Sequence, residues 1–133
     1  MKTDRYFRYA KNIAEMSDFE KQKMGCVIVY KKQVLSTGFN TTKTHPLQKI
    51  YNKYRFEEDS PHKLHAEINA LIPLRYADID WSKVKVFVYR KSKNNKGALA
   101  RPCASCMAYM KKLGIKHIYY STYNEPVHEV LDI

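Results

Sequence analysis

Apolar positions along the chain recur first at helical and then at strand spacing. Tyr6, Ala10, Ile13 and Ala14 lie three or four residues apart. They form the stripe of an amphipathic helix, capped by Thr3 or Asp4 and running to about Ser17. Cys26-Val27-Ile28-Val29-Tyr30 follows as an unbroken apolar run, which suits a central strand covered on both faces. Lys31-Lys32-Gln33 makes a polar turn into residues 34–39, a second strand antiparallel to the first. Residues 40–63 are polar and aromatic, and a segment of this length usually carries function. Leu64, Ile68, Leu71 and Ile72 mark the buried stripe of another helix, ended or kinked at Pro73. Residues 84–89 predict a third strand and residues 91–101 a polar loop. A helix over 103–113 stops at Gly114, a fourth strand covers 115–121, and a short tail follows.

The order α-β-β-α-β-α-β predicts an α/β domain with a mixed central sheet, helices on its faces and two right-handed crossovers. Ligands of open sheets sit near the carboxyl ends of strands, here the segments after the second and third. With 133 residues, 44% hydrophobic and 28% charged, residues 1–133 read as one globular domain with a sizeable core. No internal repeat or linker divides it. The apolar runs are too short to cross a bilayer, and the start Met-Lys-Thr-Asp-Arg has no apolar leader. The expectation is a cytoplasmic protein without a membrane partner.

Charge changes this picture. Twenty-four Lys and Arg against thirteen Asp and Glu give +11, which points to a phosphorylated or polyanionic partner, although many small proteins are simply basic. Three cysteines, an odd number, argue against a disulfide framework. Cys26, inside an apolar strand, reads as a core residue.

The candidate chemistry lies in His65-Ala66-Glu67 and Pro102-Cys103-Ala104-Ser105-Cys106. One imidazole and two thiolates are three ligands for a catalytic zinc, with a fourth tetrahedral position for water. Glu67 is then the carboxylate that moves protons beside it. Cys103 and Cys106, at i and i+3, share one face of the first turn of a helix opened by Pro102, where the dipole favours thiolate. His65 and Glu67, at i and i+2, cannot share a helix face, so His65 must sit at the helix entry. The site then lies between two helix N-termini. Taken alone, Cys-x-x-Cys also fits a redox pair, and His65 a structural helix-end residue; the combination favours zinc.

With these residues the chain resembles the zinc-dependent cytidine and deoxycytidylate deaminase superfamily, whose signature is His-x-Glu followed by Pro-Cys-x-x-Cys. Gly25-Cys26-Val27-Ile28-Val29 and Thr37-Gly38-Phe39-Asn40 extend the likeness, which covers roughly residues 5 to 121. The resemblance implies a three-layer cytidine-deaminase-like fold with strand order 2-1-3-4. It implies zinc on His65, Cys103 and Cys106, with Glu67 catalytic. Asn40 would bond the sugar, and the Ala66 N–H would contact the base near its carbonyl. Arg101 is a candidate for phosphate, or an ordinary loop arginine. The family commonly adds a helix and a fifth strand after the fourth, whereas only twelve residues follow Ser121.

The leading expectation is hydrolytic deamination of the cytosine of a mononucleotide to uracil, releasing ammonia. A second reading keeps the chemistry but takes cytosine or adenine in single-stranded DNA or RNA. The loops 43–55 (Lys43, Lys49, Lys53, Arg55, Tyr51, Tyr54) and 91–101 (Lys91, Lys93, Lys96, Arg101) carry cations and no acid, as suits a strand with stacked bases. Against it, Tyr51 and Tyr54 can form one face of a short helix and pack inward, and Glu57-Glu58-Asp59 would repel a backbone. A silent zinc-stabilised module is a third reading, disfavoured by Glu67. Open sheet edges leave self-association open.

Overall fold

The computed structural model of the protein describes residues 4–18, 22–42, 45–51, 64–92 and 97–131, without the side chain of Lys49. Helix α1 (Asp4–Ala14) turns Phe7, Ala10 and Ala14 inward. Strand β1 (Lys23–Tyr30) buries five consecutive residues, Gly25 to Val29, so both its faces are covered. It pairs antiparallel with β2 (Gln33–Phe39) through a tight turn. Lys31 and Lys32 both have positive φ there, the conformation that matches a two-residue hairpin to the twist of its strands.

Within the long polar segment, Pro46–Tyr51 forms a short helix, α2, in line with the reading that Tyr51 packs inward from one; Tyr54 lies outside the described residues. Helix α3 (Ala66–Leu71) continues into a single 3-10 turn, Ile72–Leu74, where Pro73 sits. Six residues are too few for a helix to hold by itself; α3 persists because five of them are buried: Ala66, Glu67, Ile68, Ala70 and Leu71. Strand β3 (Lys85–Lys91) pairs antiparallel with β1 and parallel with β5 (His117–Tyr120). Helix α4 (Ala104–Leu113) lies between them in the chain. Its end is set by Gly114 at φ 97, a left-handed cap that a side chain would strain.

The path β2-β1-β3-β5 reproduces the expected order 2-1-3-4 of the four anticipated strands. Two further strands correct the sequence reading. Gly97–Ala98 (β4) pairs with β3 inside the expected polar loop. Val127–Val130 (β6) pairs antiparallel with β5, so the supposed tail is a fifth strand on the main path of the sheet.

Helices α3 and α4 cover one face of the sheet, over a core that includes Ile28, Ile68, Leu71, Val86, Val88, Met110 and Ile118, all fully buried. Each such side chain stabilises the fold by roughly 1.5–3 kcal/mol. Helix α1 covers the other face with Phe7, Ala10 and Ala14 against Val27, Val29, Phe87 and Tyr89. Cys26 is part of the first core, and burial pushes its thiol far above the usual range. No helix among the described residues is long and apolar enough to cross a membrane.

Candidate metal centre and active site

Two of the candidate ligands open helices. His65 is the N-cap of α3, with φ −77 and ψ 151, and Cys103 is the N-cap of α4, with φ −71 and ψ 172. Each accepts the first intrahelical bond on its carbonyl, from Asn69 N–H at 3.0 Å and from Met107 N–H at 2.9 Å. Neither side chain caps its helix. A Ser, Asp or Asn cap is worth roughly 1 kcal/mol over a non-capping residue, so both helices forgo that contribution to place a donor at their mouths. Pro102 lies one residue before the N-cap, and α4 begins one residue later than the expected 103.

His65, Cys103 and Cys106 converge, with their donor atoms within 4.8 Å of one another. His65 Nδ1 stands 3.4 Å from Cys103 Sγ and 3.4 Å from Cys106 Sγ. A tetrahedral centre with Zn–N of ~2.05 Å and Zn–S of ~2.3 Å separates N from S by about 3.6 Å, so the donors already hold nearly the spacing the ion requires. Cys103 Sγ also lies 3.0 Å from Ser105 Oγ.

Electrostatics divides the two thiols. Cys103 is drawn down to about 3, first by a hydrogen bond with Cys106, against its burial, and further by His65 and Ser105. Cys106 moves well above its usual range because it is buried, hydrogen-bonded to Cys103 and close to Glu67.

Glu67 is 2% exposed, and its Oε1 has no hydrogen-bond partner among the described residues. Such an orphan costs roughly 1–3 kcal/mol, more for a charged group, and sites of this kind call for an explanation beyond packing. Burial pushes its carboxyl upward, His65 opposes that, and the Cys103 charge adds to it. The donor spacing, the soft S,S,N donor set and the orphaned oxygen all fit a zinc ion.

The other candidates are engaged as follows. Ala66 is fully buried in the first turn of α3. Asn40 directly follows β2 and ties it to the start of β1: Oδ1 accepts the Met24 N–H at 2.9 Å and Nδ2 donates to the Gln22 carbonyl at 2.6 Å. Arg101 makes a bidentate pair with Glu129 of β6, Nε and Nη2 each 3.0 Å from a carboxylate oxygen. Lys91 pairs with Glu15 at 2.7 Å. Tyr51 is buried and meets the Tyr109 ring at a centroid distance of 5.0 Å. Lys43, Lys53, Tyr54, Arg55, Lys93 and Lys96, and the side chain of Lys49, lie outside the described residues. Sequence reasoning missed Gln48 and Ser105, both fully buried beside the ligands. Ser105 could have been noticed inside Cys-x-x-Cys; nothing in the pattern around Gln48 signals it.

The fold and this site define a zinc-dependent hydrolytic deaminase. The family described as "Cytidine and deoxycytidylate deaminase zinc-binding region" matches residues 1–122. The chain belongs to that family. No curated protein matches it. Among solved structures, the dCMP deaminase of cyanophage S-TIM5 in apo form is similar with a TM-score of 0.64 at 21% identity, covering 89% of this chain and 80% of that one. The same enzyme in complex with dCMP and dUMP gives 0.63 at 20%, covering 89% and 79%. The cytidine deaminase of Burkholderia pseudomallei gives 0.65 at 17%, covering 98% and 93%. At these identities the structures support the fold.

Proposed function

We propose that the protein deaminates the cytosine of a cytidine or deoxycytidine nucleotide, yielding the uracil nucleotide and ammonia. The observation that carries this reading is the orphaned, buried Glu67 oxygen beside the His65–Cys103–Cys106 donor set. His65, Cys103 and Cys106 would hold zinc, which would supply the Lewis acidity that makes water a nucleophile near neutral pH. As the water oxygen adds to C4, Glu67 takes one water proton and gives it to N3 of the base. It then takes the remaining proton of the added hydroxyl and gives it to the amine as the C4–N bond breaks and the C4 carbonyl forms, releasing ammonia. General acid/base transfer contributes roughly 10²–10⁴-fold. The Ala66 N–H contacts the base near its carbonyl. Asn40 contacts the sugar with the amide donor it does not spend on Gln22. Arg101 uses two of its N–H donors on Glu129; the rest of its fork of five meets the phosphate.

A mononucleotide is favoured over a polynucleotide because, of the described cations of the second basic loop, Lys91 already serves Glu15 and Arg101 keeps only the part of its guanidinium not on Glu129, enough for one phosphate group and not for several. A related enzyme crystallised with dCMP and dUMP also supports it. The net charge of +11 keeps single-stranded nucleic acid as the second reading. Incubation with CMP, dCMP, dCTP, adenosine nucleotides and single-stranded DNA and RNA, followed by mass, tests both. Conversion of CMP or dCMP with a weak salt response is expected. Faster conversion of oligonucleotides, with log K falling at roughly −0.7 per phosphate neutralised against log[salt], would reverse the assignment.

A further inference from the structure

Gln48 lies in α2, on a segment with no ligand of the metal centre, yet its side chain is fully buried and polar. Its amide reaches both halves of the site. Oε1 accepts the His65 backbone N–H at 3.0 Å, and Nε2 reaches Ser105 Oγ at 3.4 Å. Ser105 Oγ in turn lies 3.0 Å from Cys103 Sγ. Hydrogen-bond chemistry sets the directions. A main-chain N–H can only donate, so the amide oxygen must face His65, which turns the NH2 group toward Ser105. That group can also only donate, so the serine oxygen accepts from it. The single hydroxyl proton of Ser105 is thereby left for the sulfur.

We infer that Gln48 is a positioning residue of the metal centre. It sets the spacing between His65 at the mouth of α3 and Cys103 at the mouth of α4, and aims the Ser105 hydroxyl at the Cys103 sulfur. The inference rests on the zinc reading of the cluster. Neither ligand has a covalent neighbour in common with the other: 38 positions separate them in the chain. One amide bonded to both ends is therefore a direct mechanical link between them. Tyr51, one turn further along α2, packs on Tyr109 of α4, which seats α2 where Gln48 can make this link. Groups that orient metal ligands in this way are worth roughly 10–100-fold in metal affinity.

The test compares zinc dissociation constants of the parent, Gln48→Met, Ser105→Ala and the double variant, by competition with a chromophoric chelator. Methionine preserves most of the buried volume but makes neither bond. Ser105→Ala removes only the link to sulfur and is the gentler change should Gln48→Met fail to fold. Zinc binding weakened about 10–100-fold in Gln48→Met, weakened less in Ser105→Ala, and in the double variant by less than the product of the two losses, is expected. Cobalt(II)-loaded variants should also show shifted sulfur-to-metal charge-transfer bands. Folded variants that bind zinc within twofold of the parent, with unchanged cobalt spectra, would overturn the inference. So would melting of the metal-free proteins lowered without any change in zinc affinity, which would make Gln48 only an anchor of α2. A parent protein that bound no zinc would instead sink the underlying reading of the site.

Discussion

Two glycines carry helices on opposite faces of the same sheet, and the two contacts serve different ends. Helix α1 lies on Gly25, where an added Cβ would run into the Ala10 carbonyl and the Ala14 amide. Helix α3 lies on Gly38, where a Cβ would meet the Ala66 carbonyl and the Ala70 amide. Around the first contact lies an apolar cluster: Phe7 and two alanines against Val27, Val29, Phe87 and Tyr89. Beyond the second, Ala66 stands between His65 and Glu67, so the depth at which α3 seats on β2 sets where a ligand and the proposed proton carrier lie. The same steric device fixes stability on one face and donor geometry on the other.

The comparison breaks most completely if the chemistry of the α3–α4 face is removed. Replacing Cys103 and Cys106 together by serine exchanges a soft thiolate pair for poor neutral donors. The double variant should lose its zinc, all turnover and the metal-dependent part of its thermal stability. Elemental analysis and melting with and without zinc measure this, and a full zinc complement in the variant would refute the ligand assignment. Glu67→Ala comes next. It should keep zinc and lose at least ~10²-fold in turnover, with Glu67→Gln almost as inactive because an amide cannot shuttle protons. Retention of more than about a tenth of parental activity falls short of that general acid/base minimum and would remove Glu67 from the mechanism.

A sharper version uses the glycines themselves. Gly25→Ala and Gly38→Ala each overpack a helix–sheet contact and should each cost on the order of 1–3 kcal/mol, or more where backbone must move. Only Gly38→Ala should also weaken zinc binding, because its clash displaces α3. Denaturant unfolding beside chelator competition separates the two effects. Equal zinc affinity in both variants would show that seating of α3 does not govern the site.

The difference between the faces also explains what could be read in advance. Helix α1 and strand β1 were legible because their apolar residues repeat at 3.6 or run unbroken, and helix α4 because Pro102 and Gly114 bracket it, signals that arise from local geometry. The His65, Cys103 and Cys106 cluster was legible because metal chemistry restricts both residue type and spacing. Strand β6 was not: Val127 and Val130 are exposed, so its four residues show no buried stripe, and its strand character comes from hydrogen bonding to β5. Helix α2 was open in advance only as one of two readings of Tyr51, because it is held by Tyr51 against Tyr109 and by the Gln48 bonds and not by an apolar stripe. Gln48 acts through an amide that any polar loop might contain. The partner of Arg101 lay 28 positions away on a strand the pattern did not show.

That last pair gives the smallest expected effect, on the rim of the site. The Arg101 and Glu129 side chains are 53% and 27% exposed, so their contribution to stability should be at most ~1 kcal/mol. The hydrogen bonds from Arg101, and then that from Tyr120, hold the Glu129 carboxyl below its usual range. A carboxyl depressed in the folded state contributes stability that is fully present above its unfolded pKa, about 4.3. That contribution is lost as pH falls through the folded value. Glu129→Gln should therefore lower Tm slightly at pH 7 and flatten the acid-side decline below about pH 5, near the ordinary Glu range. Arg101→Ala should reproduce both changes. If Arg101 also meets the phosphate, kcat/KM for CMP relative to cytidine should drop roughly tenfold in Arg101→Ala, the lower end for a hydrogen bond to a charged group, with zinc retained. An unchanged CMP-to-cytidine ratio, together with the lost acid-side Tm dependence, would confine Arg101 to holding β6 against the loop before α4.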